Sequence, residues 1–518
     1  MRLDLLVTGR IVTFAGAAGF GWVEALGIAG GRVAVAGTIA DVRGAATAVR
    51  RRLDLPPDEA AIPGLTDAHI HLADLALAAD EIDLGDAATL EMGLARIAEV
   101  HAATPDPDAW LEGHGWDAVR WGGWPTAAAL QSVAPGRRVA LWAHDHHSIW
   151  ASEAALRAAG IDAATPDPDG GVIRRRADGT PDGVLQEGAV PLVLRHVPPP
   201  PDERLDALVV RACRSLLALG VVAAHDPGEV ASDVDLTGGF AAYERLGARG
   251  RLPIRVHASV RPESLDLAIA RGARSGAPLG GEGSRATVGW LKIFADGTLG
   301  ARTARMLAPY EPAPDAGEPP NGGYGVDVRP PDEVRRLATR AAAAGIATQI
   351  HAIGDAANRS ALETLAAVGR CGPLMPRIEH AQLVDLDDLP RFGRDGIAAA
   401  VMPRDIRSDR RNAYRFWGAR RTEHGSYAYG SLARAGAVIP FATDAPVEAP
   451  DPWPSIVSAV TRRGPGDDPA ASFVPREALA LDRALRAAAL DAAVAAGEPD
   501  RGRLLPGCRA DLAVIPAG

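Results

Sequence analysis

The 518-residue chain carries 65 acidic against 55 basic side chains, a net charge of −10, and 47% of it is hydrophobic. That balance describes an ordinary globular protein and excludes a nucleic-acid partner held by a basic face. The amino terminus lacks an export signal, no apolar run reaches the roughly 18 residues of a membrane span, and Cys213, Cys371 and Cys508 are too scattered for a disulfide framework, so the sequence predicts a cytoplasmic protein without membrane attachment.

Residues 1–61 read as short strands separated by glycine, and the final stretch, 496–518, has the same β-rich texture. The two ends are expected to meet in a small composite β-sandwich. Residues 62–495 are expected to form the main domain. Its first strand lies in AIPGLTDAHIHL (61–72), and from residue 221 short apolar strands alternate with Ala-rich helical stretches. Strands are predicted within 221–228, 253–260, 289–297, 346–355, 376–384, 397–403 and 437–447, with helical spacing in runs such as PDEVRRLATRAAAAG. Eight strand–helix units in a chain of this length predict a (β/α)8 TIM barrel.

An insert at about 73–205, after strand 1, breaks that rhythm and ends at RHVPPPPDERL. It holds Trp110, Trp116, Trp121, Trp124, Trp142 and Trp150, which suit either the insert's own core or an apolar substrate wall. Both readings stand at this stage.

Chemistry-bearing side chains gather at the carboxyl ends of the predicted strands. His69 and His71 are two apart and so face one side of a strand. Lys292, His351, His380 and Asp444 fall in the fourth, fifth, sixth and eighth strands. Imidazole and carboxylate together suit zinc or a similar divalent ion.

Lys292, in GWLKIFADGTLGART (289–303), is the only lysine among the 55 basic residues. An ion pair would accept arginine. A buried lysine can instead reach the neutral amine, add carbon dioxide and become a carbamate that bridges two metals, which a permanently charged guanidinium cannot do.

The motifs PGLTDAHIHL, EGHGWDAVRW, HHSIWASEAAL, DGTPDGVLQEGA, KIFADGTLGARTA, HAIGDAAN, RIEHAQLV, ATDAPVEAPDPW and RGRLLPGCRADLAV resemble, in order, the YtcJ-like branch of the amidohydrolase superfamily. The resemblance implies a metal-dependent hydrolase with two divalent ions, most simply zinc. His69 and His71 would hold the more buried ion, His351 and His380 the second, with carbamylated Lys292 between them. Asp444 would be both ligand and proton shuttle. The sequence departs from the branch at Ser152, where an Asn is usual, at VMPRDIRSD, where a Gln-Pro pair and a His are usual, and in its short end after ADLAVIPAG.

The expected reaction is attack of a metal-activated hydroxide on the carbonyl of a small C–N substrate, an N-acyl or N-formyl amine, with Asp444 moving the proton. Ester or lactone hydrolysis, deamination, and a non-catalytic metal-binding regulator are the alternatives. Against deamination, HAIGD has no Glu after His351. Substrate contacts are assigned to His114, Trp116, His147, Arg302 and Arg404, although packed or exposed roles suit the histidines equally. The arginine-rich run 404–421 is read as a carboxylate site, a solvated helix or a subunit contact. Asp296 and Asp355 are read as loop organisers, His225 and His257 as core groups. Asp444 also reads as a turn residue. A small-molecule substrate and a homo-oligomer complete the expected partners.

Overall fold

The computed structural model describes residues 1–144, 148–168, 171–228, 236, 238–313, 319–464, 467–468 and 472–516. The chain divides into two compact units. The first contains Met1–His71, Val210–Gly228 and the described part of Asp233–Gly518, and the second contains Leu72–Val209.

In the first unit both chain ends enter one six-stranded sheet. Its order is Leu512–Pro516, Glu59–Pro63, Arg2–Val12, Trp22–Ala29 and Arg32–Gly37, with Ala48–Asp54 paired in parallel to Arg2–Val12. Gly64 alone separates Glu59–Pro63 from the first barrel strand. A Cβ there would lie 2.6 Å from a Val222 methyl, so the close approach requires glycine.

Seven parallel strands follow in spatial order: β1 (Leu65–Asp67), β2 (Val221–Asp226), β3 (Arg255–Val260), β4 (Ala286–Phe294), β5 (Thr348–Ala352), β6 (Arg377–His380) and β7 (Ala398–Ala400). They are nearly continuous buried runs, as strands covered on both faces must be. The eighth expected strand is an extended but irregular segment. Ala399 N donates to Val438 O (2.9 Å) and Val401 N to Pro440 O (2.9 Å), while on the opposite side Ala68 N donates to Phe441 O (3.0 Å) and Asp444 N to His69 O (2.8 Å). This segment therefore connects β7 to β1 and closes an α/β barrel. Pro440 has no N–H to give, which interrupts a regular ladder.

Period-two alternation sends Trp290 and Lys292, Gln349 and His351, and Arg377 and Glu379 to the same side of their strands. Trp290, Gln349 and Arg377 form a lower interior layer with His225. The Arg377 guanidinium lies 3.9 Å from the Trp290 ring centroid. Its Nε donates to Gln349 Oε1 (3.0 Å) and its Nη1 to His225 Nδ1 (3.0 Å). This layer supports the strand ends above it.

The second unit has its own six-stranded sheet, ordered Gly171–Arg175, Pro181–Glu187, Ser148–Ala151, Val139–Ala143, Leu111–Trp116 and Ile82–Asp83. Trp116 and Trp150 are fully buried in its core, with Trp121 packed against them. Trp116 Nε1 donates to Leu141 O at 2.7 Å. Trp116 is thus a core residue with no surface to offer a substrate, and its hydrogen bond is internal. No helix among the described residues is long and apolar enough to cross a membrane.

Candidate metal centre

The strand ends of the first unit bring His69, His71, Lys292, His351, His380 and Asp444 together. His69 and His71 leave β1 on one face, with ring centroids 5.5 Å apart. The His69 and His380 rings are 5.7 Å apart, and His351 and His380 4.4 Å. One ligand atom each from His69, His380 and Asp444 lies within 4.8 Å of the other two.

Hydrogen bonds at the outer nitrogens aim the two β1 histidines. His69 Nδ1 lies 2.6 Å from Glu379 Oε2, and His71 Nδ1 lies 2.8 Å from Gly228 O. Gly228 O and the Glu379 carboxylate accept, so each Nδ1 carries a proton and each Nε2 is turned toward the cluster. Those Nε2 atoms converge on Asp444 Oδ1, at 3.3 Å from His69 and 3.5 Å from His71. Burial holds His69 well below the ordinary imidazole range, and the charge of Lys292 adds to the effect. His380 is lowered in the same way by burial and then by His351. A neutral His69 facing a carboxylate oxygen, with no proton between them, presents lone pair to lone pair. A divalent cation resolves that repulsion.

Lys292 is fully buried, and its Nζ has no hydrogen-bond partner. It lies 4.4 Å from the Phe294 ring centroid. Burial lowers the amine to about 7 against the opposing pull of Glu379 and Asp444. His380 Nδ1 and Asp444 Oδ1 are likewise buried without hydrogen bonds. Three orphaned polar atoms at one strand-end cluster are the property expected of a ligand set for ions.

Backbone geometry assists. His380, Ala381 and Asp444 have φ of 71°, 45° and 58°, in the left-handed region. At His380 this ends the alternation of β6, so that His380 reaches the same cluster as its sequence neighbour Glu379. Asp67 accepts from Thr443 Oγ1 (2.5 Å) and Thr443 N (3.1 Å), tying β1 to the segment that carries Asp444. Its carboxyl is raised to about 7 by burial.

Glu379 and Arg377 escaped the sequence reading. Both are fully buried, and Arg377 Nε lies 2.6 Å from Glu379 Oε1. The only signal was RIEH itself, where an acid stands beside the candidate ligand His380. Glu379→Gln keeps an acceptor for the His69 N–H but removes the charge. It is expected to weaken divalent-ion affinity about 10- to 100-fold, read by competition with a chelator.

The remaining sequence candidates are placed as follows. Asp296 accepts from the backbone N–H of Ile353, Gly354 and Arg305, and Asp355 from Leu307 and Ala356, so both organise loops. His257 Nε2 lies 3.4 Å from Glu498. Arg302 is buried in a left-handed turn, with its guanidinium 5.4 Å from the Phe416 ring centroid. Arg404 is paired with Glu448 at 2.7 Å, which occupies the charge the sequence offered to a substrate carboxylate. In the second unit, His114 Nε2 lies 3.3 Å from Ala78 O. His147 lies outside the described residues.

The family model described as Amidohydrolase family matches residues 58–517. The chain is 30% identical to the YtcJ protein of Bacillus subtilis over 456 residues, covering 88% of this chain and 83% of that one. It is 29% identical over 512 residues to the N-substituted formamide deformylase of Arthrobacter pascens, covering 95% and 90%. The crystal structure of an uncharacterized metal-dependent hydrolase from Pyrococcus horikoshii superposes with a TM-score of 0.79 at 27% identity, covering 99% of this chain and 97% of that one. With a barrel of this topology and a histidine–carboxylate cluster at its strand ends, the chain belongs to the amidohydrolase family of metal-dependent hydrolases, in its YtcJ-like branch.

Proposed function

We propose that this protein hydrolyses the carbon–nitrogen bond of a small N-acyl amine, with N-formyl amines as the leading class. The relative from Arthrobacter pascens, named for removal of formyl groups from N-substituted formamides, supports that choice. The observation that carries the reading is the buried, unpartnered Lys292 amine beside a set of neutral imidazoles.

His69, His71, His351, His380, Asp444 and Lys292 would hold two divalent ions, zinc by the preference of imidazole and carboxylate donors. Such ions supply Lewis acidity toward a carbonyl oxygen and make a bound water acidic near neutral pH. The chain's own part begins at Lys292. Burial brings its amine down to about 7, so the neutral form is accessible near neutral pH. The neutral nitrogen attacks carbon dioxide, a C–N bond forms, and one proton leaves to solvent. The resulting carbamate is anionic and carries two ligand oxygens where an ammonium would repel cations.

Asp444 then moves the proton of the hydrolysis. Its carboxylate accepts a proton from the attacking water and returns it to the departing nitrogen, which leaves as a neutral amine. Glu379 keeps His69 in its Nδ1–H form throughout, and Asp67 with Thr443 holds the segment bearing Asp444.

The test is metal analysis paired with turnover of N-formyl and N-acetyl amines. About two equivalents of divalent ion per chain and formate release from N-formyl amines are expected. One equivalent with release of ammonia from aminopurines or aminopyrimidines would replace this reading with deamination.

A further inference from the structure

Beside the metal centre stands a group of acids that the reaction above does not use. Asp405 and Asp409 follow β7 in PRDIRSD, and among the described residues neither forms an ion pair. Gln382, two residues past His380, donates Nε2 to Asp405 Oδ2 and to Asp409 Oδ2, both at 3.2 Å. Tyr427 OH donates to Asp409 Oδ2 at 2.6 Å. Arg404, the adjacent cation, is taken by Glu448. Burial raises both carboxyls, Asp409 to about 6, and Asp405 is raised further by the charges of Asp409, Asp444 and Glu448. Asp405 is thus within electrostatic reach of Asp444, and Gln382, which bridges the two acids, follows the candidate ligand His380 by two residues.

A second observation is independent of the acids. Gln382 is only 5% exposed, and its Oε1 has no hydrogen-bond partner. Oε1 and Nε2 belong to one planar amide, so this unsatisfied acceptor lies beside the two carboxylates. Buried acceptors without donors are costly, and two carboxylates without a counter-ion more so. With both carboxyls ionised, the spot has acceptors that outnumber the donors supplied among the described residues by the Gln382 amide and the Tyr427 hydroxyl. Its complement is a compact cation with several N–H groups, which a primary ammonium supplies as three.

We propose that Asp405, Asp409 and Gln382 form a subsite for an ammonium group on the amine portion of the substrate, which makes the preferred substrate a mono-acylated diamine. The inference rests on the amide-hydrolase reading above and adds the substrate class. The three N–H groups of the ammonium reach the two carboxylates and Gln382 Oε1. The acyl group lies toward Asp444, and a linking alkyl chain spans the interval. Sequence reasoning had looked to the arginines of this same run for a substrate anion. Pairing of Arg404 with Glu448 leaves the opposite sign exposed to the ligand.

The experiment compares N-formyl-1,4-diaminobutane with its neutral isostere N-formylpentylamine on the metal-loaded protein. Calorimetric binding of 1,4-diaminobutane is measured alongside, and both measurements are repeated on the Asp405→Asn/Asp409→Asn double variant. A kcat/KM ratio of about 30 or more in favour of the cationic formamide is expected, expressed mainly in KM, as for a charge-assisted hydrogen-bonded contact. The ratio should fall toward one in the double variant, with diamine affinity at least about tenfold weaker. Hydrolysis of both formamides with a wild-type ratio near one overturns the ammonium subsite and leaves the amide-hydrolase reading standing. Hydrolysis of neither, with diamine binding that the double variant loses, rejects that reading and keeps the subsite. A preference that survives the double substitution overturns the assignment to these residues. If the double variant fails to fold, the wild-type ratio and the wild-type diamine affinity still decide.

Discussion

Lys292→Ala is expected to lower kcat/KM by at least about 10³-fold and to leave the protein with about one equivalent of metal, read by elemental analysis of the dialysed protein. The side chain is fully buried and its amine makes no hydrogen bond, so removing it breaks no polar contact of the fold. Truncation leaves a cavity, which costs stability, and it also removes an unpaired polar group, which restores some. The two effects oppose each other, so loss of activity should far exceed any loss of structure. Acetate or propionate should restore part of the activity by placing a carboxylate in the space the carbamate would fill. Lys292→Arg should be equally inactive and should not respond to either acid, because the guanidinium fills the space with fixed positive charge. Full binuclear occupancy in Lys292→Arg would remove the carbamate from the proposal.

Asp444→Asn is expected to reduce kcat by about 10³-fold even when assayed with saturating metal, alongside weaker metal affinity from loss of the ligand charge. Asparagine keeps the shape and one carbonyl oxygen toward the His69 and His71 nitrogens, at the place where Asp444 Oδ1 lies 3.3 and 3.5 Å away. It cannot take a proton from water. The backbone bond from residue 444 N to His69 O is unaffected by the change, so β1 remains tied to the closing segment. The measurement is steady-state kinetics across pH, with elemental analysis of the same preparation. A variant within about tenfold of the parent would take Asp444 out of proton transfer.

Much of the barrel was legible because buried parallel strands read as short apolar runs, and in this chain the chemistry sits at their carboxyl ends. His69, His71, Lys292, His351 and His380 are all visible in that way. Lys292 was visible also by its solitude among arginines. What could not be read depends on geometry that leaves no trace in residue type. Glu379 and His380 are neighbours, and strict alternation would point them to opposite faces. They serve one cluster because the backbone at His380 turns left-handed without a glycine to announce it. The closeness of Gln382 to Asp405 and Asp409 depends on how the loops after β6 and β7 fold back, and spacing does not encode that. The insert's tryptophans were ambiguous for a different reason: an aromatic cluster looks the same in sequence whether it lines a pocket or fills a core. The burial of Trp116 and Trp150 answers the question for those two.

The left-handed backbone at His380, Ala381 and Asp444 has a consequence for engineering. Each such residue with a side chain sits in a conformation that costs about 1–2 kcal/mol relative to the right-handed alternative. At Ala381 glycine would relieve that strain for the loss of one methyl, whereas at His380 and Asp444 the cavity left by the missing side chain opposes the gain. Ala381 is therefore the position of the three at which a heat-tolerance screen can recover backbone strain without deleting a side chain from the reactive cluster.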